Sequence, residues 1–225
     1  MPIDVRATER AKKRYNRTAT FYDLMESGME KMRFSAWRSL LWSKVEGKRV
    51  LEVGVGTGKN FPYYPPGTDM VAVDFSDRML ARARKRAATE NVKVGLHLMD
   101  IQRLEFPDNS FDTVVAAFVF CSVPDPVLGL TELWRVCKPG GKVLLLEHVL
   151  SEKRALRLIM NLAAPLVVRV TGANINRRTV ANVNRSGLVI EKVTDLAGDI
   201  VKLVEARKPP HQAPQPVSQA VPTNL

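Results

Sequence analysis

Residues 50–58, which read VLEVGVGTG, constrain the fold of this chain more than any other segment. An apolar strand runs directly into Gly54, Gly56 and Gly58, with the carboxylate of Glu52 just before them. Glycines allow positive φ and a close approach of the backbone to a ligand where a buried parallel strand turns into a helix. The pattern therefore predicts a nucleotide-like ligand lying across the strand ends of an α/β sheet.

Two other glycine-rich loops fit the segment less well. The dinucleotide-binding pattern G-x-G-x-x-G places its third glycine one residue later, so a nicotinamide cofactor is disfavoured. A phosphate-binding P-loop requires a lysine followed by a hydroxyl residue, whereas Lys59 is followed by Asn60 in this chain. We therefore do not expect ATP hydrolysis at this loop.

Two further carboxylates follow apolar segments at the spacing of a nucleoside site. Asp74 ends the run MVAVDF and could accept hydrogen bonds from both ribose hydroxyls. Asp100, in LMDIQRLEF, could meet the exocyclic amine of an adenine, with Ile101 against the ring face. Acids at three successive strand ends thus predict a nucleoside-binding site. The alternative is that the glycines form only a tight turn and that the aspartates only cap helices.

Four segments together resemble the class I S-adenosylmethionine-dependent methyltransferases: LEVGVGTG, VAVDFS, MDIQRLEFPDNSFDTVVAAF and ELWRVCKPGGKVLLLEHV. The resemblance covers residues 21–204 and implies a Rossmann-like, doubly wound, mostly parallel sheet with S-adenosylmethionine as cofactor. It implies that Glu52 and the glycines surround the methionine moiety and that Asp74 binds the ribose. Asp100 and Ile101 would hold the adenine. The full predicted cofactor-binding set is Glu52, Gly54, Gly56, Gly58, Asp74, Phe75, Asp100, Ile101 and Phe118.

Strand and helix segments alternate along most of the chain and predict one doubly wound domain over residues 46–208, which the resemblance implies to be the methyltransferase domain. Within it we expect a fourth strand over 111–120, a Pro139-Gly140-Gly141 turn and a fifth strand over 142–148, and the resemblance implies a closing antiparallel hairpin. Apolar residues at helical spacing predict an amino-terminal helical cap over 1–45. Residues 209–225 are rich in proline and glutamine, which predicts a disordered tail.

The chain carries a net charge of +11 over 225 residues, which favours an acidic partner surface such as an anionic membrane or a nucleic acid. A basic cluster lies in the predicted amino-terminal helix at Arg10, Lys12, Lys13, Arg14 and Arg17. We expect this helix to contact anionic lipid. Nucleic acid is less favoured, because FCSVP follows the fourth strand in place of the Asn/Asp-Pro-Pro-aromatic signature of base amino-group methylases.

The sequence favours a cytoplasmic protein that associates peripherally with a membrane. It has two cysteines, a polar amino terminus without a secretory leader, and no apolar run of the roughly 18 residues that a spanning helix needs. The oligomeric state is left open.

An apolar insertion over residues 155–178 lies between the fifth strand and the hairpin. It is interrupted by Pro165 and leads into Arg177 and Arg178, which we assign to substrate binding. The segment could roof an apolar acceptor or lie in a bilayer interface, with the arginines meeting a phosphate. It could equally be an ordinary helix packed on the sheet.

Within the superfamily, the chain is most similar to enzymes with lipidic acceptors. LEFPDNSFD and RVCKPGGKVLLLEHV resemble ubiquinone/menaquinone methyltransferases and bacterial phosphatidylethanolamine N-methyltransferases, and CSVPDP with GANINRRT resembles membrane-associated alkyl thiol methyltransferases. We expect the amine of phosphatidylethanolamine as acceptor, with a quinone or an alkyl thiol as alternatives. A non-catalytic cofactor-binding or RNA-binding module is less favoured.

Methyl transfer from a sulfonium mainly requires an aligned acceptor in a dry pocket. We predict Tyr22 as a lid residue near the methyl group and His148 as the base, with a structural histidine as the alternative reading. We expect Cys121 to line the acceptor pocket, since the methyl group passes directly to the acceptor in the family. No metal site is expected.

Overall fold

The computed structural model describes residues 3–29 and 34–210, with side chains throughout except at 18–29, 170 and 171. The predicted tail lies almost entirely outside the described residues. The strands are β1 Arg49–Val53, β2 Asp69–Asp74, β3 Gly95–Leu98, β4 Phe111–Ala117, β5 Cys137–His148, β6 Val189–Ala197 and β7 Val201–Arg207. The helices are α1 Val5–Met29, α2 Ser35–Trp42, α3 Asp77–Thr89, α4 Pro126–Val136, α5 Arg154–Thr171 and α6 Thr179–Arg185.

The strands form one sheet in the order β3-β2-β1-β4-β5-β7-β6. The first five strands are parallel, and the hairpin of β6 and β7 adds two antiparallel strands beside β5. This architecture is the predicted doubly wound, mostly parallel sheet, with helices ahead of β1 as expected.

The central strands are nearly continuous apolar runs because both faces of the sheet are covered. In β1 and β2 every residue after the first is buried. Val53 pairs with Val73 on one side and with Ala116 on the other, so the carboxyl ends of β1, β2 and β4 meet at one edge. Ligands of doubly wound sheets bind at this edge.

Polar caps begin the two helices that leave this edge. The hydroxyl of Ser76 accepts from the backbone N–H of Met79 at 3.2 Å at the start of α3. Asp125 accepts from the N–H groups of Val127 and Leu128, both at 3.0 Å, at the start of α4. Such caps satisfy donors that a helix leaves unpaired at its first turn.

Two predicted boundaries are wrong. The fourth strand ends at Ala117 rather than residue 120, because Phe118 takes a left-handed φ of 59° that turns the chain. The fifth strand begins at Cys137 and includes the predicted Pro-Gly-Gly turn. A register irregularity absorbs the extra residues there, since Phe111 pairs with Cys137 but Thr113 pairs with Lys142.

The apolar insertion forms α5, a loop and α6. Helix α5 continues through Pro165, which lies on its exposed side, and ends at Gly172 with a left-handed φ of 87°. Across the described residues, no helix has the length and apolar character needed to cross a bilayer.

Candidate active site

The glycine loop after β1 leaves its backbone open toward the strand ends. Gly54 and Gly56 have φ values of 67° and 56°, in the region that disfavours side chains. A Cβ on Gly54 would lie 2.5 Å from a methyl group of Val119, whereas a Cβ on Gly56 would meet no described atom within 4 Å. Gly58 instead lies against the ring of Phe61. The loop thus packs tightly on one side and exposes backbone at Gly56.

Asp74 ends β2 directly beside this loop. One carboxylate oxygen accepts from Gly56 N at 2.8 Å, and the other accepts from Ser76 N at 2.9 Å. The side chain is buried, and burial raises the pKa of Asp74 to about 6 against the opposing effect of these hydrogen bonds. Each oxygen retains a lone pair that could accept from a ligand hydroxyl.

Asp100 and Ile101 follow β3 and line the same cleft. Asp100 accepts from Gln102 N at 2.9 Å, which fixes the turn, and Ile101 is buried. Two adjoining parts of the cleft, of about 40 and 60 Å³, share five lining residues: Gly54, Asp74, Phe75, Val119 and Ser122. Apolar walls with a few carboxylates are suited to a nucleoside.

Glu52 lies beneath the glycine loop rather than in the cleft lining. Its carboxylate is fully buried and accepts hydrogen bonds from Asn60 Nδ2 and from the hydroxyl of Tyr64. Arg38 donates to Asn60 Oδ1 at 2.6 Å, which adds a cation to the network. Burial raises the pKa of Glu52 to about 7. Its predicted contact with the methionine moiety stays a prediction, and its visible role is to support the loop.

Helix α1 covers the cleft through side chains that the sequence analysis did not assign to the site. The hydroxyls of Tyr15 and Ser122 share a hydrogen bond, and the Tyr15 ring stands edge-on to Phe75 with centroids 5.8 Å apart. Asn16 accepts from the hydroxyl of Ser76, and Thr8 accepts from Gln102 Nε2 at 3.1 Å. The predicted lid residue Tyr22 belongs to α1, but its side chain lies outside the described part.

We expect the lid to move when a cofactor binds. Typical ligand pockets hold about 300–1,000 Å³, whereas the two parts of the cleft beneath α1 are far smaller. Tyr15 and Thr8 are among the residues that line it. Contacts that hold α1 down should therefore control exchange of the cofactor.

We expect Tyr15→Ala to accelerate cofactor dissociation about tenfold, because a buried hydrogen bond and an aromatic contact each contribute on the order of 1 kcal/mol. Stopped-flow fluorescence on release of the cofactor would measure the rate. Lys13→Ala, on the exposed side of the same helix, is the matched control and should leave the rate unchanged. An unaltered rate in Tyr15→Ala would remove α1 from the exchange step.

The loop after β4 is held by a carboxylate from β5. Glu147 Oε1 accepts from the N–H groups of Val119 and Phe120 at 2.8 and 3.0 Å. Burial raises the pKa of Glu147 to about 7, and within the described residues its Oε2 has no hydrogen-bond partner. Phe118 lines the cleft, and the ring of His148 packs on the Phe118 ring with centroids 4.8 Å apart.

Cys121 does not line the cofactor cleft. Its thiol is buried near the carbonyl oxygen of Phe118, and burial raises the pKa of Cys121 to about 12. Arg177 and Arg178 line a separate cleft beyond the same loop. No cluster of metal-binding side chains occurs among the residues that the structure describes.

Residues of the site that were missed at the level of sequence include Tyr15, Asn60, Tyr64 and Glu147. Only Glu147 carried a usable signal, because it is a carboxylate at the end of a buried strand, the pattern that identified Glu52. Tyr15 was noted only as a neighbour of the basic cluster. The other two lie in the proline-rich segment FPYYPPG or just before it.

Together, the fold and the cleft are typical of proteins that bind a nucleoside at the carboxyl ends of strands such as β1, β2 and β3. Comparison with known proteins agrees with this class. The family model described as a methyltransferase domain matches residues 51–145. A methyltransferase from Thermotoga maritima has the same fold, with a TM-score of 0.65 and 19% identity over 86% of this chain and 98% of that one.

Two curated relatives are closer in sequence. The phosphatidylethanolamine N-methyltransferase of Cereibacter sphaeroides is 45% identical over 116 residues, which span 50% of this chain and 57% of that enzyme. The demethylmenaquinone methyltransferase of Clavibacter sepedonicus is 30% identical over 227 residues, covering 91% of this chain and 90% of that enzyme. The chain belongs to the class I S-adenosylmethionine-dependent methyltransferases.

The cofactor of this family is S-adenosylmethionine, and the described residues fit it. Asp74 offers lone pairs at the ribose position, Ile101 and Phe75 form apolar walls, and Gly56 exposes backbone. The cofactor supplies an electrophilic methyl group. The protein must hold it, orient the acceptor and exclude water.

Proposed function

We propose that this methyltransferase acts on a membrane lipid and that its acceptor is the amine of phosphatidylethanolamine. The observation that carries the proposal is a cleft of about 410 Å³ lined by three arginines, Arg177, Arg178 and Arg185. Guanidinium groups bind phosphate oxygens with paired, charge-assisted hydrogen bonds. A phospholipid headgroup carries such a phosphate close to its amine. The 45% identity to a phosphatidylethanolamine N-methyltransferase supports the same acceptor.

Arg177 is the deepest cation of this cleft. Its Nη2 donates to the carbonyl oxygen of Val123 at 2.7 Å, while its buried Nε has no hydrogen-bond partner among the described residues. Burial lowers the pKa of Arg177. An anion bound nearby would stabilise this buried charge. Asp125 also lines the cleft, but one of its oxygens is engaged in capping α4.

The arginine cleft adjoins the cofactor cleft through the loop 121–125. Ser122 and Pro124 line the cofactor side, and Asp125 lines the arginine side. Asn174, which lines the arginine cleft, is hydrogen-bonded to this loop. Its backbone N–H and its Nδ2 both donate to the carbonyl oxygen of Cys121, at 2.8 and 2.9 Å. A headgroup phosphate in one cleft would therefore lie near the cofactor in the other.

An ammonium acceptor must lose a proton before it can attack a methyl group. We propose His148 for this step, since its ring is half-buried at the carboxyl end of β5 and packs on Phe118 at the cofactor cleft. Tyr22, on α1, is proposed as a lid residue near the methyl group.

The outer face of α1 is proposed to meet an anionic membrane. Arg10, Lys13 and Arg17 are exposed and, at spacings of three and four residues, share one side of the helix. Clustered cations near an anionic leaflet gain about 1 kcal/mol each. Lys12 instead pairs with Asp77 at 3.2 Å, on the side that packs against α3. A peripheral protein of the cytoplasm fits this arrangement.

A quinone is the second candidate acceptor. It is supported by the 30% identity to a demethylmenaquinone methyltransferase, which extends over 91% of this chain. The prenyl tail of a membrane quinol is as apolar as the lipid interior, so the same membrane association would serve it. Phosphate recognition, in contrast, would serve only the phospholipid.

We expect methyl label from S-adenosylmethionine to enter phosphatidylethanolamine vesicles, and not a demethylated quinone or an alkyl thiol offered in parallel. Arg177→Gln should raise the KM for the phospholipid at least tenfold, because a charge-assisted contact contributes about 1.5–3 kcal/mol. Its cofactor affinity should stay at the wild-type value. Arg84→Gln, an exposed arginine on α3, is the control. Label only in the quinone or the thiol would overturn the phospholipid assignment.

A further inference from the structure

Helix α5 presents a stripe of large apolar side chains to solvent. Leu158 and Ile159 are each 61% exposed, Leu162 is 74% exposed and Leu166 is 67% exposed. These residues repeat at spacings of three and four, so they lie along one side of the helix. Surfaces of soluble proteins seldom align four such residues without a partner. We call Leu158, Ile159, Leu162 and Leu166 the α5 stripe.

The α5 stripe does not serve the protein core. On the opposite side of the helix, Ala164 is buried at 5% exposure and Met160 and Val167 are half-buried, so this side contacts the fold and the stripe points away from it. A helix that only packed on the sheet would carry polar residues on its outer side. The pattern therefore favours a partner for the outer side of α5.

The charge around the stripe indicates its partner. Lys153, Arg154 and Arg157 lie at the start of the helix and Arg169 near its end, and no acidic residue occurs between Arg154 and Thr171. Arg154 and Arg169 are exposed. A helix with an apolar side flanked by cations suits the interface of an anionic bilayer, with apolar side chains among the acyl chains and cations at the phosphates.

The end of α5 connects this surface to both clefts. At Gly172 an added Cβ would lie 2.9 Å from Arg14 and 3.5 Å from Tyr15, which places the end of α5 against the lid helix. The segment that follows carries Asn174 and Arg177, which bond to the loop between the clefts. A bilayer held at α5 would thus be close to the place where a lipid acceptor must enter.

We propose that the α5 stripe is a bilayer-docking surface for anionic phospholipid. The helix lies in the plane of the interface and does not cross it. The biological purpose of this surface depends on the proposed function, a lipid acceptor. Its binding to vesicles does not depend on whether any lipid is methylated.

The test is sedimentation of the full chain with vesicles of equal parts phosphatidylglycerol and phosphatidylcholine at low salt. We expect wild type to bind and Leu162→Ser/Leu166→Ser to lose at least tenfold in affinity, because apolar burial in the acyl region drives insertion. Val189→Ser removes an apolar residue that is 53% exposed on β6 and should leave binding unchanged. Calorimetry with S-adenosylmethionine should give the wild-type affinity for each variant, which shows that each has folded.

Other outcomes test the docking surface separately from the proposed lipid acceptor. Vesicle binding by the double variant at the wild-type affinity would overturn the docking surface. So would a wild-type dimer that the same substitutions convert to a monomer without any vesicle binding, because the stripe would then be covered by a second copy. Vesicle binding through α5 without methylation of phosphatidylethanolamine would support the docking surface and overturn only the proposed acceptor.

Discussion

Replacing Asp74 with asparagine is expected to raise the Kd for S-adenosylmethionine at least tenfold. The carboxylate lies at the end of β2, beside the exposed backbone of Gly56, where the ribose would be held. Hydrogen bonds to a charged acceptor contribute about 1.5–3 kcal/mol, and each 1.4 kcal/mol is a factor of ten in affinity. Calorimetric titration with the cofactor measures the effect directly.

The substitution also disturbs the loop. Both oxygens of Asp74 accept backbone N–H groups, from Gly56 and Ser76, so the amide of asparagine must turn a donor toward one of these donors. Asp69→Asn is the matched control, since Asp69 lies at the other end of the same strand and is exposed there. Equal affinities of Asp74→Asn and wild type would refute the ribose assignment.

The same carboxylate should make cofactor binding depend on pH. Burial raises the pKa of Asp74 to about 6 in the free protein. Below pH 6 the group is increasingly protonated and accepts less strongly, so the Kd of wild type should rise as the pH falls. In Asp74→Asn the Kd should stay constant through this range.

The features that the sequence predicted well depend on local pattern. Buried parallel strands are apolar throughout, and glycines at Gly54 and Gly56 follow one of them directly, so the fold and the cofactor edge could be placed from residue order alone. Asp74 and Asp100 were found because each lies at or just after the end of an apolar segment. Strand ends were less certain, since the φ of Phe118 cannot be read from residue type.

The features that the sequence missed depend on contacts between distant segments. Thr8 lies 94 residues from Gln102, and Tyr15 lies 107 residues from Ser122, yet both pairs hold the lid in place. No periodicity encodes such pairs. The exposed side of α5 was ambiguous for the same reason, because an apolar helix face has the same sequence pattern whether a sheet or a bilayer covers it.

The stability of the cofactor-free protein should increase as the pH falls from 8 toward 5. Glu52 and Glu147 are fully buried, and burial raises the pKa of each from 4.5 to about 7. Between these values the folded state binds more protons than the unfolded state, so the free energy of unfolding falls as pH rises. Above pH 7 each buried glutamate lowers the free energy of unfolding by its full amount, on the order of 3 kcal/mol. Below about pH 4.5 this loss of stability is absent.

Acidic residues with a lowered pKa affect stability in a different pH range. The pKa of Glu46 is lowered chiefly by its hydrogen bond with Lys142, and that of Asp112 by its hydrogen bond with Lys138. Their stabilisation is present above the unfolded pKa and is lost only as the pH falls below about 4. The trend between pH 5 and 8 is therefore set mainly by the buried glutamates, and Asp74 adds to it below about pH 6.

Glu147→Gln should remove the part of this trend that Glu147 contributes. A glutamine Oε1 can accept the same N–H groups of Val119 and Phe120 without the buried charge. At pH 8 we expect a Tm several degrees above that of wild type, since a domain of this size gains about 2–4 °C per kcal/mol. Below about pH 4.5 the two proteins should melt together. Glu105→Gln, at an exposed position, is the control, and its Tm should equal that of wild type at every pH. If the plot of Tm against pH for Glu147→Gln ran parallel to that of wild type, the Glu147 carboxylate would be charged at no cost in the folded protein.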